Sequence, residues 1–462
     1  MSKVTAQRME MPVVTKKRMP ASAMPFNTNP RAFRRSVRPS RCIALYHIIN
    51  PWYFTVMMKI NIDKEKIEEI LTRSVAEILP TKDSFYEALT SGRRLRIYIG
   101  TDPTGTSLHL GHATNYIILE KLRRLGHEVI FLVGDFTARI GDPTDKSESV
   151  RKCLTREQVM QNVKTWIDQV RPVIDVDNKE NPVKILYNHN WLSPLSFEDV
   201  LNLASNFTVQ QMIERDMFQE RIRSEKPLYL HELFYPLMQG YDSVAMDVDV
   251  EICGTDQKFN ALAGRTLLKK LKNKEKFVFI TTLLENPVTG EKMMSKSMGT
   301  GVFLDFDADK IYGSLMAQPD ENIKQLFIDC TWLDTREIDK ILSTKNPRDS
   351  KMCLAFEITK IYHGEGAATD AEKNFIRIFQ KRETPSGISK CRVSKGETVI
   401  DVLVNSDFSK SKSEARRMIL QGAIKIDGNK FPKDDLDKPL GNNLHGAVLQ
   451  KGKRHFTELS FE

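Results

Sequence analysis

The spacing of apolar residues changes period several times along the chain, and the changes outline its elements. Arg96 to Ile99 is a short β-rich run, Gly100 to Thr106 supplies turn residues, and from Leu108 the apolar spacing becomes helical. A strand, a turn and a helix are predicted there, with His109 and His112 in the helix's first turn. Between His231 and Asp242 the side chains of Tyr235, Gln239 and Asp242 fall at i, i+4 and i+7, one face of a helix. Residues 300 to 380 keep a helical pattern in which Met316, Leu326, Ile328 and Trp332 mark a core-facing stripe. The stretch Trp166 to Phe218 mixes helix and loop. Beyond a Pro/Gly/Ser break at residues 384 to 387 come a short helix from Thr398, a second over Ser409 to Leu420, and a hairpin over Gly422 to Lys430 with an Asp-Gly turn.

Several of these elements carry chemistry. The N-terminus of a helix that follows a strand presents free N–H groups and the positive end of the helix dipole, which favour an anion. Two imidazoles three residues apart, His109 and His112, face one side there and can donate to phosphate oxygens, while Gly111 lets a flat base approach the backbone. Some 180 residues later, Lys292, Ser295, Lys296 and Ser297 lie in a stretch bounded by Gly290 and Gly299, suited to closing on the same phosphates. A Lys/Ser loop alone is ordinarily solvated surface; the two segments together point to a nucleotide site. A His-x-x-His pair also occurs in zinc sites, but no His-Glu-x-x-His pattern and no nearby Cys accompany it, so no protein-bound metal is expected. Neither Gly-x-Gly-x-x-Gly nor Gly-x-x-x-x-Gly-Lys occurs. The helix face of Tyr235, Gln239 and Asp242 offers a phenol, an amide and a carboxylate, groups that a site for an ammonium and a hydroxyl needs. Asp102 and Asp142 precede Pro103 and Pro143, which sets them in loops at strand or turn ends, where α/β sheets bind ligands.

Charge adds little until it is divided along the chain. Of 69 basic and 60 acidic residues, residues 1–57 hold ten of the former and only Glu10 of the latter, leaving 59 of each sign in the remainder. Only local patches can therefore speak for RNA, and Lys410, Lys412, Arg416 and Arg417 crowd the start of one C-terminal helix. Residues 1–57 read as a disordered basic tail, an organellar transit peptide, or the product of a start codon placed ahead of the true one at Met58. The apolar stretch Cys42 to Met58 is too short and too broken by His47 and Pro51 for a membrane span. Six scattered cysteines without Cys-x-x-Cys fit a reducing cytoplasm.

The segments His109-Leu-Gly-His112 and Met294-Ser-Lys-Ser297 resemble the two signatures of class I aminoacyl-tRNA synthetases. Between them, Leu132 to Thr144, Tyr235 to Asp242 and Gly254-Thr-Asp-Gln-Lys258 follow the order of the bacterial-type tyrosyl enzymes, a resemblance that covers residues 90 to 462. It implies an α/β fold: a Rossmann-like parallel-sheet catalytic domain over 58–300 with a dimer-forming insertion near 165–218, an α-helical anticodon-side domain over 301–385, a linker over 386–397, and a small α+β S4 RNA-binding domain over 398–462. It also implies that tyrosine is joined to AMP from ATP, supplied with Mg²⁺, and then passed to tRNA(Tyr) by a cytoplasmic homodimer.

By the same resemblance Tyr235, Gln239 and Asp142 hold the amino-acid end of tyrosine. Asp242 with Tyr98 takes its hydroxyl, so that a phenylalanine would leave the buried Asp242 unpaired. Gln257 lies by the activated carboxyl, Asp102 near the nucleotide, and Gly254 and Asp256 at the ribose. Thr104, His109, His112 and Lys296 stabilise the phosphates, with Ser295 and Ser297 beside them, and Lys146 draws in pyrophosphate. Two positions depart from the pattern: Met293 replaces the lysine that opens the second signature, and Cys253 replaces the first of two glycines. A tryptophanyl enzyme shares both signatures, but Asp242 and the C-terminal module weigh against it. A non-catalytic RNA-binding relative is disfavoured by retention of His109, His112 and Lys296.

Overall fold

The computed structural model describes residues 59–143, 154–286, 301–343, 346–380, 389–452 and 455–461. The expectations for residues 1–57, Lys146 and the second signature, with Lys292, Met293, Ser295, Lys296 and Ser297, lie outside these.

A six-stranded sheet in the order β1-β6-β5-β2-β3-β4 forms the centre. Its strands are β1 (Val75–Leu79), β2 (Arg96–Thr101), β3 (Glu128–Val133), β4 (Lys184–Tyr187), β5 (Val250–Gly254) and β6 (Phe277–Thr281). All pair in parallel except β1, which runs antiparallel to β6 at one edge. Parallel sheets are covered on both faces, so their strands read as nearly unbroken apolar runs; Val129 to Val133 are all buried. The chain passes from β2 out to β3 and β4, then returns to lay β5 on the other side of β2. Connections that leave in opposite directions open a crevice at the carboxyl ends of β2 and β5, the usual ligand position in such sheets.

Helix α1 (Ala113–Arg124) follows β2 through a 3-10 turn at Leu110–His112, so His109 precedes the helix proper and His112 caps it. Helix α2 (Arg156–Val170) buttresses the loop ahead of that turn. Trp166 Nε1 donates to Gly105 O at 2.9 Å, Asn162 Nδ2 to Pro103 O at 2.9 Å, and Gln169 Oε1 accepts from Leu108 N at 2.7 Å. Within the stretch expected as the insertion, the end of α2 packs into the core of the sheet and β4 pairs with β3. A lone turn of Trp and Gln and a four-residue edge strand gave too weak a period to be separated from loop. What projects is the set α3 (Phe197–Ala204), Val209–Ile213 and Asp216–Arg223. Helices α4 (Leu230–Met246) and α5 (Lys258–Lys272) then pack side by side before β6.

Helices α6 (Ala308–Met316), α7 (Ile323–Cys330) and α8 (Pro347–Phe375, with Gly364 at φ 83° marking a kink) form the helical region. Its core is continuous with that of the sheet: Leu326 and Phe327 belong to one apolar cluster with Ile97 and Tyr116, and Met316, Ile328 and Trp332 pack against it. Buried Arg73 ties the two regions together by donating to Phe327 O, Ile328 O and Thr331 O at 3.1, 2.7 and 2.7 Å, which satisfies carbonyls at the end of α7.

A second sheet, β7-β11-β10-β8-β9, has a core of its own that includes Val393, Leu403, Ile419 and Leu449. It comprises β7 (Ser389–Val393), β8 (Ile424–Ile426), β9 (Asn429–Lys430), β10 (Val448–Lys451) and β11 (His455–Phe461), with α9 (Val399–Asn405) and α10 (Lys412–Leu420). Strand β7 lies within the stretch expected as linker, and pairs in parallel with β11; its period of two shows only in Cys391 and Val393, both buried. The hairpin β8–β9 turns at Asp427 and Gly428, both with positive φ (46° and 79°), which is the tight turn that Asp-Gly favours.

Candidate active site

The crevice at the carboxyl ends of β2 and β5 is a cleft of about 760 Å³. Its wall gathers Asp102, Thr104, His109, Gly111, His112, Asp142, Tyr235, Gln239, Asp242, Gly254, Asp256 and Gln257 from four separate stretches of the chain. Every described residue expected to bind tyrosine or ATP is therefore on this wall except Tyr98. That side chain is fully buried, and its hydroxyl lies 2.9 Å from Ser243 Oγ, one residue beyond Asp242.

Side chains at the inner end are fixed by one another. Tyr235 donates to Asp102 Oδ2 at 2.8 Å, and Thr137 Oγ1 donates to Asp102 Oδ1 at 2.6 Å. This contact requires glycine at 134, where a Cβ would sit 1.9 Å from Asp102 Oδ1. Asp102, expected near the nucleotide, is held against the Tyr235 phenol: its place at the end of β2 was readable, but its partner on α4 was not. Burial, and then the charges of Asp102 and Asp142, keep the Tyr235 phenol far above its ordinary range, so it remains a neutral donor.

Asp242 accepts from Trp191 Nε1 at 2.7 Å and Asn188 Nδ2 at 3.3 Å. It therefore keeps two donors when no ligand hydroxyl is present, unlike the bare carboxylate expected from sequence. Burial still pushes it well above the carboxylate range, against those two hydrogen bonds. Gln239 Nε2 donates to Glu251 Oε1 at 3.0 Å, and Gln257 Nε2 donates to Asp142 Oδ2 at 2.7 Å. Buried Arg215 stands 4.0 Å from Asp142, over the rings of Phe218 and Phe259. Trp191, Asn188, Glu251, Ser243 and Arg215 escaped the sequence reading. Only Glu251 left a signal there, as a lone acid inside the apolar strand β5.

The outer end is built on the 3-10 turn that leads into α1. The rings of His109 and His112 lie 4.0 Å apart, and His112 Nδ1 lies 3.3 Å from His109 N and 3.1 Å from His109 O, so the backbone of His109 offers a partner to either ring tautomer. The chain just beyond the second signature joins this turn: Leu110 N donates to Val302 O at 2.8 Å, Leu304 N to Leu108 O at 2.9 Å, and Phe303 bridges His109. Segments almost 200 residues apart thus share one short ladder beside the two imidazoles.

Residues 90–380 match the family model for class I tRNA synthetases (W and Y), and residues 381–459 match that for the tyrosine–tRNA ligase SYY-like C-terminal domain. A tyrosine–tRNA ligase of Carboxydothermus hydrogenoformans is 39% identical over 411 residues, covering 85% of this chain and 97% of its own. One of Desulfotalea psychrophila is 41% identical over 382 residues, 80% of this chain and 91% of its own. This chain belongs to the tyrosine–tRNA ligase family. It is an aminoacyl-tRNA synthetase of class I. The fold agrees with that of a C-terminally truncated mitochondrial tyrosyl-tRNA synthetase of Aspergillus nidulans, at TM-score 0.57, 22% identity, and coverage of 68% of this chain and 94% of that one.

On the C-terminal module the four expected RNA-binding cations are exposed, but two are engaged. Lys412 Nζ pairs with Asp401 at 2.8 Å, holding that carboxyl down at about 2, and Arg416 pairs with Asp437. Exposed pairs of this kind are weak and can exchange for phosphate. Lys410, just ahead of that helix, and Arg417, in its last turn, are exposed as well.

Proposed function

We propose that tyrosine enters the inner end of the cleft and ATP, as its Mg²⁺ complex, the outer end. The tyrosine carboxylate then attacks the α-phosphate, releasing pyrophosphate and leaving tyrosyl-adenylate. Attack of the terminal ribose hydroxyl of tRNA(Tyr) on the adenylate's carbonyl carbon expels AMP. Neither step needs a covalent protein intermediate. Catalysis is positioning plus electrostatic stabilisation of phosphate charge by Thr104, His109, His112 and Lys296, with Ser295, Ser297 and Lys146 assisting. Asp142, Gln239 and the Tyr235–Asp102 pair receive the ammonium end. Asp242 meets the phenolic hydroxyl, and Tyr98 supports it from behind the wall through Ser243. Gly254 and Asp256 receive the ribose, Gly111 lies under the adenine, and Gln257 is at the carboxyl. The observation that carries this reading is that one cleft is lined both by carboxylates tied to α4 and by the paired imidazoles of His109 and His112.

Exposed Phe197, Leu201, Val209 and Leu230 on and beside the projecting helices support a homodimer joined there, since scattered surface apolar residues rarely concentrate so. The C-terminal module grips tRNA through Lys410, Lys412, Arg416 and Arg417. The four described cysteines are free, and among the described residues no helix is long and apolar enough to cross a membrane; both fit work in the cytoplasm. Charging of tRNA(Tyr) with labelled tyrosine, tryptophan and phenylalanine across a salt series tests the proposal. Tyrosine alone is expected to be incorporated, with a rate that falls as salt rises; incorporation of tryptophan, or a rate indifferent to salt, counts against it.

A further inference from the structure

Lys276 is fully buried, directly ahead of β6, and has no place in the chemistry above. A lysine is almost never wholly buried unless paired, and its ammonium carries three donors and no acceptor. Here Nζ pairs with the Glu251 carboxylate and donates to Ser243 Oγ at 2.9 Å, beneath the Tyr98 ring at 5.9 Å from its centroid. Glu251 in turn accepts from Gln239, and Ser243 meets the Tyr98 hydroxyl. The strand register places Glu251 beside Tyr98 across β5 and β2. One buried cation therefore joins Gln239, at the ammonium end of the tyrosine site, to Tyr98, at the hydroxyl end.

Room for the ammonium is built into the neighbouring helix. A Cβ at Gly264 of α5 would lie 2.6 Å from Lys276 Nζ and 2.8 Å from Ser243 Oγ, and a Cβ at Gly240 of α4 would lie 3.1 Å from Gly264 N. Helices α4 and α5 thus approach backbone to backbone, and any larger residue at 264 would displace the lysine. Buried ion pairs are poor sources of stability, since a well-packed apolar pair of the same volume does as well or better. In this pair the two partners spend their remaining hydrogen bonds on residues that flank the substrate.

We infer that Lys276 is a positioning residue for tyrosine recognition, which fixes the Gln239 amide through Glu251 and the Tyr98 hydroxyl through Ser243. The inference rests on the tyrosine-site reading given above. The ammonium holds Glu251 against Gln239, so that the amide oxygen of Gln239 stays turned toward the substrate. Without the lysine, Glu251 is a buried carboxylate with no cation beside it, and its hold on Gln239 at one end of the site and Tyr98 at the other is expected to loosen together.

The test is amino-acid-dependent exchange of labelled pyrophosphate into ATP by the full chain, by Lys276→Met, and by Lys276→Met/Glu251→Gln, with melting curves for each. Tyrosine-dependent exchange by the unaltered chain tests the underlying reading, and the ratios among variants test the inference alone. Lys276→Met is expected to raise the tyrosine KM about tenfold while the ATP KM and kcat shift less than about threefold. The double variant, which removes the stranded charge and keeps an acceptor for Gln239, is expected to recover most of the tyrosine KM. A tyrosine KM unmoved in folded Lys276→Met, or one that rises in step with the ATP KM, overturns the inference. Should Lys276→Met show no melting transition, the double variant decides: a tyrosine KM within about threefold of the unaltered chain supports the Glu251 route, and a rise shared with ATP overturns it.

Discussion

Asp249 stands at the amino end of β5 and Asp242 faces the cleft beyond its carboxyl end, and although both are buried their surroundings drive them in opposite directions. Burial raises each carboxyl. For Asp249 that is outweighed by the Arg96 N–H at 2.8 Å, Arg93 at 3.0 Å and Lys274 at 3.2 Å, and its pKa ends below the ordinary carboxylate value. Asp242 has only the neutral donors Trp191 and Asn188, with the charges of Asp102 and Glu251 nearby, and ends well above it. Fully compensated charge at the amino end of the sheet maintains the fold. On the function proposed above, the incompletely compensated carboxyl at the carboxyl end is kept for a ligand, at a cost in stability that sites of this kind commonly carry.

Substitutions should separate these roles. Lys296→Ala should lower the rate of pyrophosphate exchange by about 100-fold or more, with tyrosine binding nearly unchanged, because it removes charge stabilisation needed only as pyrophosphate departs. A large rise in the tyrosine dissociation constant would instead place that lysine at the amino-acid end. Next in size, Asp242→Asn should reduce kcat/KM for tyrosine by about tenfold to 100-fold and narrow the preference over phenylalanine, while the melting temperature holds or rises. A fall in melting temperature with discrimination intact would make Asp242 another Asp249.

Asp249→Ala should show the reverse. Its three donors would lose their acceptor at a cost of about 2 kcal/mol, read in denaturant unfolding, while kcat/KM stays within about threefold. Its contribution is present above the ordinary carboxylate range and is lost as pH falls through the lowered native value. The smallest effect belongs to His127, at the same end of the sheet, whose Nδ1 accepts from Leu95 N at 3.2 Å. Burial, and then Arg94 and Arg93, lower its pKa to about 4. The unfolded chain takes up the proton first, so stability should rise with pH between about 4 and 6.5, by about 1 kcal/mol from pH 5.5 to 6.5. A flat profile there, or the same slope in His127→Gln, would remove this role.

The contrast also explains what could be read in the sequence. The strand, turn and helix around His109, the face of Tyr235, Gln239 and Asp242, and the Asp427-Gly428 hairpin all depend on local spacing, and local spacing is written in order along the chain. The network behind the proposed tyrosine site is not local: Lys276 lies just ahead of β6, Glu251, Ser243 and Tyr98 come from β5, α4 and β2, and no period links them. Lys276 alone reads as an ordinary solvated lysine at the start of a strand. Strand β1 was invisible as the antiparallel edge for a similar reason, since its five residues carry only one buried side chain, Ile78. Tyr98 was assigned to the site by the resemblance, and its position behind the wall follows from the register of β2 against β5, which becomes apparent only when the sheet is assembled.

The most direct measurement of the central claim is exchange of labelled pyrophosphate into ATP by the purified chain, offered tyrosine, tryptophan and phenylalanine separately. Exchange driven by tyrosine alone is the expected result and would establish that the carboxylates of the inner end and the imidazoles of the outer end act in one cleft on one substrate pair. Exchange driven by tryptophan would contradict the assignment of Asp242, and absence of exchange with all three would contradict adenylation itself.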